Sequence, residues 1–308
     1  MKLATYRDGS RDGQLVVVSR DLTQAHYATH VAHTLQQVLD DWNFVSPQLE
    51  DLSRELNHGK ARHVFPFDPA QCLAPLPRTS QCVRAHAVAP APTRNRGGVA
   101  DLLTLPGDAL LGARADLPLA DVADGLDFEA GWAVLCSDLP QGCAPARALE
   151  GVRLLTLANT WVLREVQARE RAAQVGEVQS RPAVTLGPVV VTPDELGGAW
   201  ASGRVSLTLE VLLNGRRVVQ GQADQAQAQH AGQWLAALAA RRPVRAGAVV
   251  CSGPLLTPTG GPAGGLQPGD CLRVTLTAAD GSQPLGTMDT EVRTLHEADD
   301  QRVADDLG

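Results

Sequence analysis

The chain has 308 residues, a formal net charge of −7, 44% hydrophobic and 20% charged residues, and 29 Gly with 20 Pro. That length holds one large domain, or a small one beside a core of roughly 200 to 250 residues, and the many turn-formers point to a strand-rich fold. An acidic balance with no basic stripe and few aromatics argues against nucleic acid, and no apolar run is long enough to span a bilayer, so the chain reads as cytoplasmic with no membrane contact.

In chain order, Leu3 to Val18 carries Asp8-Gly9 and Asp12-Gly13 before the run Val16-Val17-Val18, which predicts an opening hairpin. Leu35, Val38, Leu39 and Trp42 recur at helical spacing from Thr34, and a second helix is expected to start at Ser46-Pro47 with Gly59 beyond its end. The proline-rich stretch Ala61 to Arg78 places a domain boundary, giving domains at 1–75 and 76–296 with an acidic mobile tail over 297–308. Val83 to Asp108 is poor in periodicity and reads as a surface loop, as does 254–268. Phe128 to Leu135 is a strand, Pro145 to Glu150 a short helix, and Val152 to Leu157 an apolar run leading into Asn159-Thr160-Trp161. Thr192-Pro193-Asp194-Glu195 has the form of a capped helix start. Val205 to Leu213 alternates up to Asn214-Gly215, a two-residue hairpin turn, and Ala223 to Ala240 reads as a helix with Trp234, Leu235 and Leu238 inward. Ala248 to Cys251 is a buried strand, and Leu272, Val274 and Leu276 alternate in a last hairpin.

The six cysteines, Cys72, Cys82, Cys136, Cys143, Cys251 and Cys271, form no Cys-x-x-Cys pair and read as free buried thiols. Lys2 and Lys60 are the only lysines, which removes a catalytic lysine. His26, His30 and His33, spaced four and three, would share one helix face and could hold zinc; the competing reading is a solvated set. Asp121, Asp124, Asp127 and Glu129 form an acidic cluster read as a solvated turn, with Asp127 and Glu129 expected on opposite sides of the strand.

The opening Met1 to Thr5, Asp8 to Ser19, Phe65-Pro66-Phe67-Asp68-Pro69 and Pro75-Leu76-Pro77-Arg78 resemble the two-domain bacterial type of the fumarylacetoacetate hydrolase family. So do Leu126 to Leu135, Asn159 to Arg164, Gln179 to Pro182, Val191 to Leu196, Arg245 to Gly253 and Gly269 to Asp289, in that order. The resemblance implies an α+β fold, the family's mixed β-roll preceded by a small α+β N-terminal domain, and a homodimer. It implies metal-assisted chemistry on 2-oxo acids and 1,3-dicarbonyls, in which a magnesium or calcium ion polarises an enolisable oxygen and a histidine manages the proton.

Carried over residue by residue, the resemblance yields a depleted site. The family's early Asp falls on Arg84, its Glu-x-Glu pair on Glu129 and Gly131, and its later Asp on Thr160. One carboxylate in four remains, so no bound metal is expected. The family histidine falls near Ala91; His86 is a weak substitute, and Glu129 is the other weak catalytic candidate. The family lysine is Arg181, while Arg164 matches the family arginine; with Glu129 these are the substrate-binding candidates. Three functions follow as expectations. The first is a non-catalytic or regulatory subunit, paired with itself or with an active paralogue. The second is a metal-independent enzyme whose Arg164 and Arg181 bind a small 2-oxo acid or enolate, and the third an ordinary hydrolase of the family.

Overall fold

The computed structural model describes residues 1–85, 102–225, 227–256 and 264–297. The chain opens with β1 (Lys2–Tyr6), β2 (Gln14–Val18) and β3 (Gln24–Tyr27), then α1 (Leu35–Asp40), α2 (Trp42–Asn57) and β4 (Phe65–Pro66). Next come β5 (Cys82–Ala85), β6 (Leu102–Leu105), β7 (Leu110–Leu111), β8 (Leu117–Leu119), β9 (Leu126–Cys136), α3 (Pro145–Glu150), β10 (Val152–Leu163) and α4 (Arg164–Ala172). The remainder holds β11 (Val184–Leu186), β12 (Val190–Val191), β13 (Trp200–Ala201), β14 (Arg204–Val205), β15 (Thr208–Leu213), β16 (Arg216–Gln222), α5 (Ala231–Leu238), β17 (Val249–Cys251), β18 (Cys271–Thr277) and β19 (Thr287–Thr294). This is the expected α+β architecture. No helix among the described residues is long and apolar enough to cross a membrane.

The main sheet runs β4-β3-β2-β1-β12-β10-β9-β17-β5-β6, with β11 joining β10 to β7, so the N-terminal strands extend the same sheet as the later ones. A second sheet runs β16-β15-β18-β19-β8. Alternation along β9 sends Phe128, Ala130, Trp132 and Val134 into one core, shared with Leu209, Val211, Leu272 and Val274 of the second sheet. It sends Ala133 and Leu135 into another, shared with Leu35, Val38, Leu49 and Leu52 of α1 and α2. Glu129 and Gly131 have the parity of this second set.

Local chemistry explains the elements that match expectation. Thr34 caps α1 in a reciprocal box with Gln37, satisfying two backbone N–H groups at the helix start. Asn214 and Gly215 take φ of 51° and 77°, the left-handed pair that a two-residue hairpin turn requires, and β15 pairs with β16 as predicted. Asn214 also donates from Nδ2 to Asp270 at 2.7 Å and accepts from the Cys271 N–H at 2.9 Å, tying this turn to the start of β18. Of the cysteines, Cys72, Cys82, Cys136 and Cys251 are buried free thiols, Cys143 is half-buried and Cys271 exposed.

Other elements depart from expectation. The second helix starts at Trp42, not at Ser46, and carries Pro47 inside. The expected loop from Val83 holds two paired strands, β5 and β6; β5 also lies parallel to β17 and is buried along its whole length, so it lacks the polar alternation that marks a half-buried strand. Thr192-Pro193 opens a 3₁₀ segment (Pro193–Ala199) without a side-chain cap, because the Thr192 hydroxyl is taken by the Met1 amino group at 2.6 Å and Glu195 pairs with the same group at 3.1 Å. The helix expected over Ala223 to Ala240 shrinks to α5. Ala223 bonds back to Leu207 and Asp224 to Ser206, leaving His230 to start the helix. His26 sits on β3 with its ring 6.1 Å from that of His30, so the one-faced helical triad is not realised, and among the described residues no group of three His, Cys, Asp or Glu is placed to hold a metal. His86, Ala91, residues 257–263 of the 254–268 loop and the tail from 298 lie outside the described residues.

Replacing Asn214 by Ala removes both side-chain bonds and puts a Cβ-bearing residue with little left-handed tolerance in the turn. Equilibrium urea unfolding is expected to show a loss of about 1–3 kcal/mol with an unchanged m-value.

Candidate functional site

Antiparallel pairing sets Glu129 of β9 directly opposite Thr160 of β10, and Gly131 opposite Ala158. β5 lies beyond β17, where Cys251 pairs with both Ala133 and Arg84. This register brings four of the sequence candidates onto Glu129. One of its oxygens, Oε2, accepts from the Arg84 guanidinium, from Arg181 Nη1 at 2.8 Å and from the Thr160 hydroxyl at 3.0 Å. The other, Oε1, accepts from Arg164 Nη1 at 3.1 Å. The Glu129 backbone N–H donates to Asn159 Oδ1 at 3.1 Å.

Arg164 also donates from Nε to Asp127 Oδ2 at 2.8 Å. The structure therefore corrects the expectation that Asp127 and Glu129 face opposite sides. Residues two apart on a strand share a face, and one guanidinium bridges the pair. Arg181 is engaged along its whole head group. Nη2 reaches Glu177 at 2.8 Å and Nε the same oxygen at 3.2 Å. Glu177 in turn accepts from Gln167 and Arg171, both at 2.8 Å. Neither Glu177 nor Ser252 was singled out from the sequence. The four-residue spacing of Glu177 and Arg181 was a visible hint, whereas nothing local marked Ser252.

Burial divides the cluster. Arg84, Arg181 and Glu129 are 4%, 2% and 3% exposed, whereas the Arg164 side chain is 40% exposed. Arg164 faces a cavity of about 540 Å³ also lined by Asp127, Phe128, Leu126, Val122 and Leu266. Burial alone would push the Glu129 carboxyl up. The guanidinium groups of Arg84, Arg181 and Arg164 outweigh it and bring it down to about 2. Glu177 follows the same pattern: burial raises it, and bonds from Gln167, Arg181 and Arg171 bring it to about 2.

Position 131 is closed as well. A Cβ on Gly131 would stand 2.2 Å from Ser252 Oγ and 2.7 Å from the Gly253 carbonyl oxygen. Ser252 is fixed there because its N–H donates to the Trp132 carbonyl at 2.8 Å and its hydroxyl accepts from the Trp132 N–H at 3.2 Å. Gly253, at φ 72°, passes so close to Ala85 and the Arg84 stem that a Cβ would sit 2.7 Å from the Ala85 carbonyl oxygen.

With this geometry in hand, comparison with known proteins places the chain. The family model described as fumarylacetoacetase N-terminal domain 2 matches residues 1–78, and that described as fumarylacetoacetate hydrolase C-terminal matches residues 79–293. The chain belongs to the fumarylacetoacetate hydrolase family. Its fold is shared with the fumarylacetoacetate hydrolase of the psychrophile Exiguobacterium antarcticum (TM-score 0.68, 18% identity, 96% of this chain and 99% of that one). The maleylpyruvate hydrolase of Sphingobium sp. SYK-6, solved with manganese(II) and pyruvate, matches at TM-score 0.68 and 17% identity over 96% and 99% of the two chains. The 5-carboxymethyl-2-hydroxymuconate delta-isomerase of Mycobacterium smegmatis matches at TM-score 0.62 and 17% identity over the same shares. No curated protein matches.

The donor set does not fit the metal that the family fold implies. Of the four family positions, Arg84 carries positive charge, Gly131 has no side chain and no room for one, Thr160 offers a hydroxyl already given to Glu129, and Glu129 is fully engaged by cations. A hard divalent ion binds through several oxygens, most of them anionic, and here it would approach three guanidinium groups.

Gly131→Ala is expected to lower unfolding free energy by about 1–3 kcal/mol through overpacking, with Ser252→Ala in the same chain recovering part of the loss. The acid limb gives a second check. Glu177 is held near 2, below its ordinary 4.5, so the unfolded chain takes up its proton first as pH falls. Its stabilisation is complete above about 4.5 and lost towards 2. Glu177→Gln should flatten the fall in melting temperature between about pH 5 and pH 2.5, and an unchanged slope would contradict the assignment.

Proposed function

We propose that this chain is a non-catalytic or regulatory subunit built on the fumarylacetoacetate hydrolase fold, acting as a homodimer or beside an active paralogue, and that it does not carry out metal-assisted hydrolysis. The observation that supports this reading is the saturation of Glu129. The one carboxylate at the family's ligand positions is bonded by three arginines and a threonine, and Ser252 and Gly253 fill the space beside Gly131. Breaking into that cluster to seat an ion would strip guanidinium partners from a buried carboxylate, a loss of about 3–5 kcal/mol per broken pair. The maleylpyruvate hydrolase that carries manganese(II) and pyruvate shares the fold, and fold alone does not transfer its chemistry.

A second reading has one observation in its favour. Arg164 is partly exposed at the edge of the 540 Å³ cavity, so it, rather than the buried Arg181, is the arginine able to meet a small 2-oxo acid. Calorimetry with manganese and magnesium, melting curves with pyruvate and oxaloacetate, and turnover assays with acylpyruvates separate the readings. Under the proposal all three stay silent. A pyruvate-induced rise in melting temperature that disappears in Arg164→Met favours the second reading. Manganese-dependent cleavage of an acylpyruvate by the wild type sinks both.

A further inference from the structure

Building on the non-catalytic reading, we infer that the Arg84 guanidinium is a built-in cation. It does the structural part of a metal ion's work, balancing Glu129 and locking separate chain segments onto that one carboxylate. Three segments distant in sequence meet on Glu129 Oε2: Arg84 from β5, Thr160 from β10, and Arg181 from the stretch before β11. A single centre that draws together side chains from several elements is the role a bound ion plays in a ligand cage. Here the positive charge arrives on the chain itself, so its dehydration is part of folding and no ion has to be captured from solution.

Two further features point the same way. Burial divides the cations around Glu129: the Arg84 and Arg181 side chains are 5% and 1% exposed, whereas those of Arg164 and Arg171, which also meet carboxylates of this cluster, are 40% and 60% exposed. Remove Arg84 and the buried Glu129 carboxylate loses one of the two buried guanidinium groups on its Oε2. The path of the side chain is also built. A Cβ on Gly253 would lie 3.2 Å from Arg84 Cγ and 3.3 Å from Cδ, so the glycine gives the arginine stem its channel to Glu129.

The test uses the full chain and three variants, Arg84→Ala, Arg84→Met and Arg84→Met with Glu129→Gln, followed by thermal unfolding. Arg84→Ala should melt at least about 5 °C below wild type. Millimolar guanidinium chloride should then raise its melting temperature above a sodium chloride control of equal ionic strength. Wild type and Arg84→Met, where the site is filled, should show no such rise. Because Glu129→Gln removes the buried carboxylate that has lost a partner, while Arg164 keeps Asp127 and Arg181 keeps Glu177, the double variant should melt above Arg84→Met. If Arg84→Ala fails to fold, the comparison of Arg84→Met with the double variant decides alone. Melting of Arg84→Ala with wild type, or a double variant no more stable than Arg84→Met, overturns the inference. Manganese-dependent activity in the wild type would instead overturn the non-catalytic reading and leave these shifts as they are.

Discussion

A carboxylate removed from water must find compensating charge or take up a proton, and Glu129 is removed almost completely. The chain's answer is a set of guanidinium groups, and much of the surrounding architecture follows from bringing them to one place. β5 must lie two strands from β9 for Arg84 to reach across, and β10 must hold its register with β9 for Thr160 to stand opposite. The stretch before β11 must fold back so that Arg181 arrives from a third direction. Coulomb attraction between such groups is several times stronger in the interior than at the surface, so a small misplacement is costly. That cost explains why both Glu129 carboxylate oxygens accept from guanidinium groups.

Sterics reinforce the electrostatics. Restoring a glutamate at position 131 would not by itself restore a ligand pair, because the space for its Cβ belongs to Ser252. Ser252 is in turn fixed by two backbone bonds to Trp132, and its neighbour Gly253 is pressed against Ala85 and Arg84. Positions 84, 131, 252 and 253 are therefore in mutual contact, so that substitutions among them are expected to be non-additive.

What the sequence made legible were features that a few neighbouring residues determine. The Asn214-Gly215 turn, the Thr34 cap and the hairpin opening the chain are set by local conformational preference, and they stand where expected. The strand register sets Thr160 opposite Glu129, and Arg84, Arg164 and Arg181 reach the same carboxylate from three other segments. What was not legible needed a distant partner. β5 looked like loop because both of its faces are buried, and the Thr192 cap was lost to an amino group 191 residues away. Asp127 could have been read correctly from strand parity alone, since it precedes Glu129 by two.

Buried ion pairs are weak evidence for stability, because a well-packed apolar group of the same size is often as good or better. The presence of this cluster is therefore better explained by what it positions. Arg181 holds Glu177, and Glu170 accepts from the backbone N–H groups of Val178 at 3.0 Å and Gln179 at 2.7 Å, as well as from the Ser180 hydroxyl. The segment from 177 to 181 is thus anchored at both ends by charge, although Val178 on it is 75% exposed and nearby Val175 59%. An apolar replacement of Arg181 would fill its volume but leave Glu177 to Gln167 and Arg171 alone. The interior charges thus dictate the shape of an exterior segment, a result that hydrophobic packing alone would not secure.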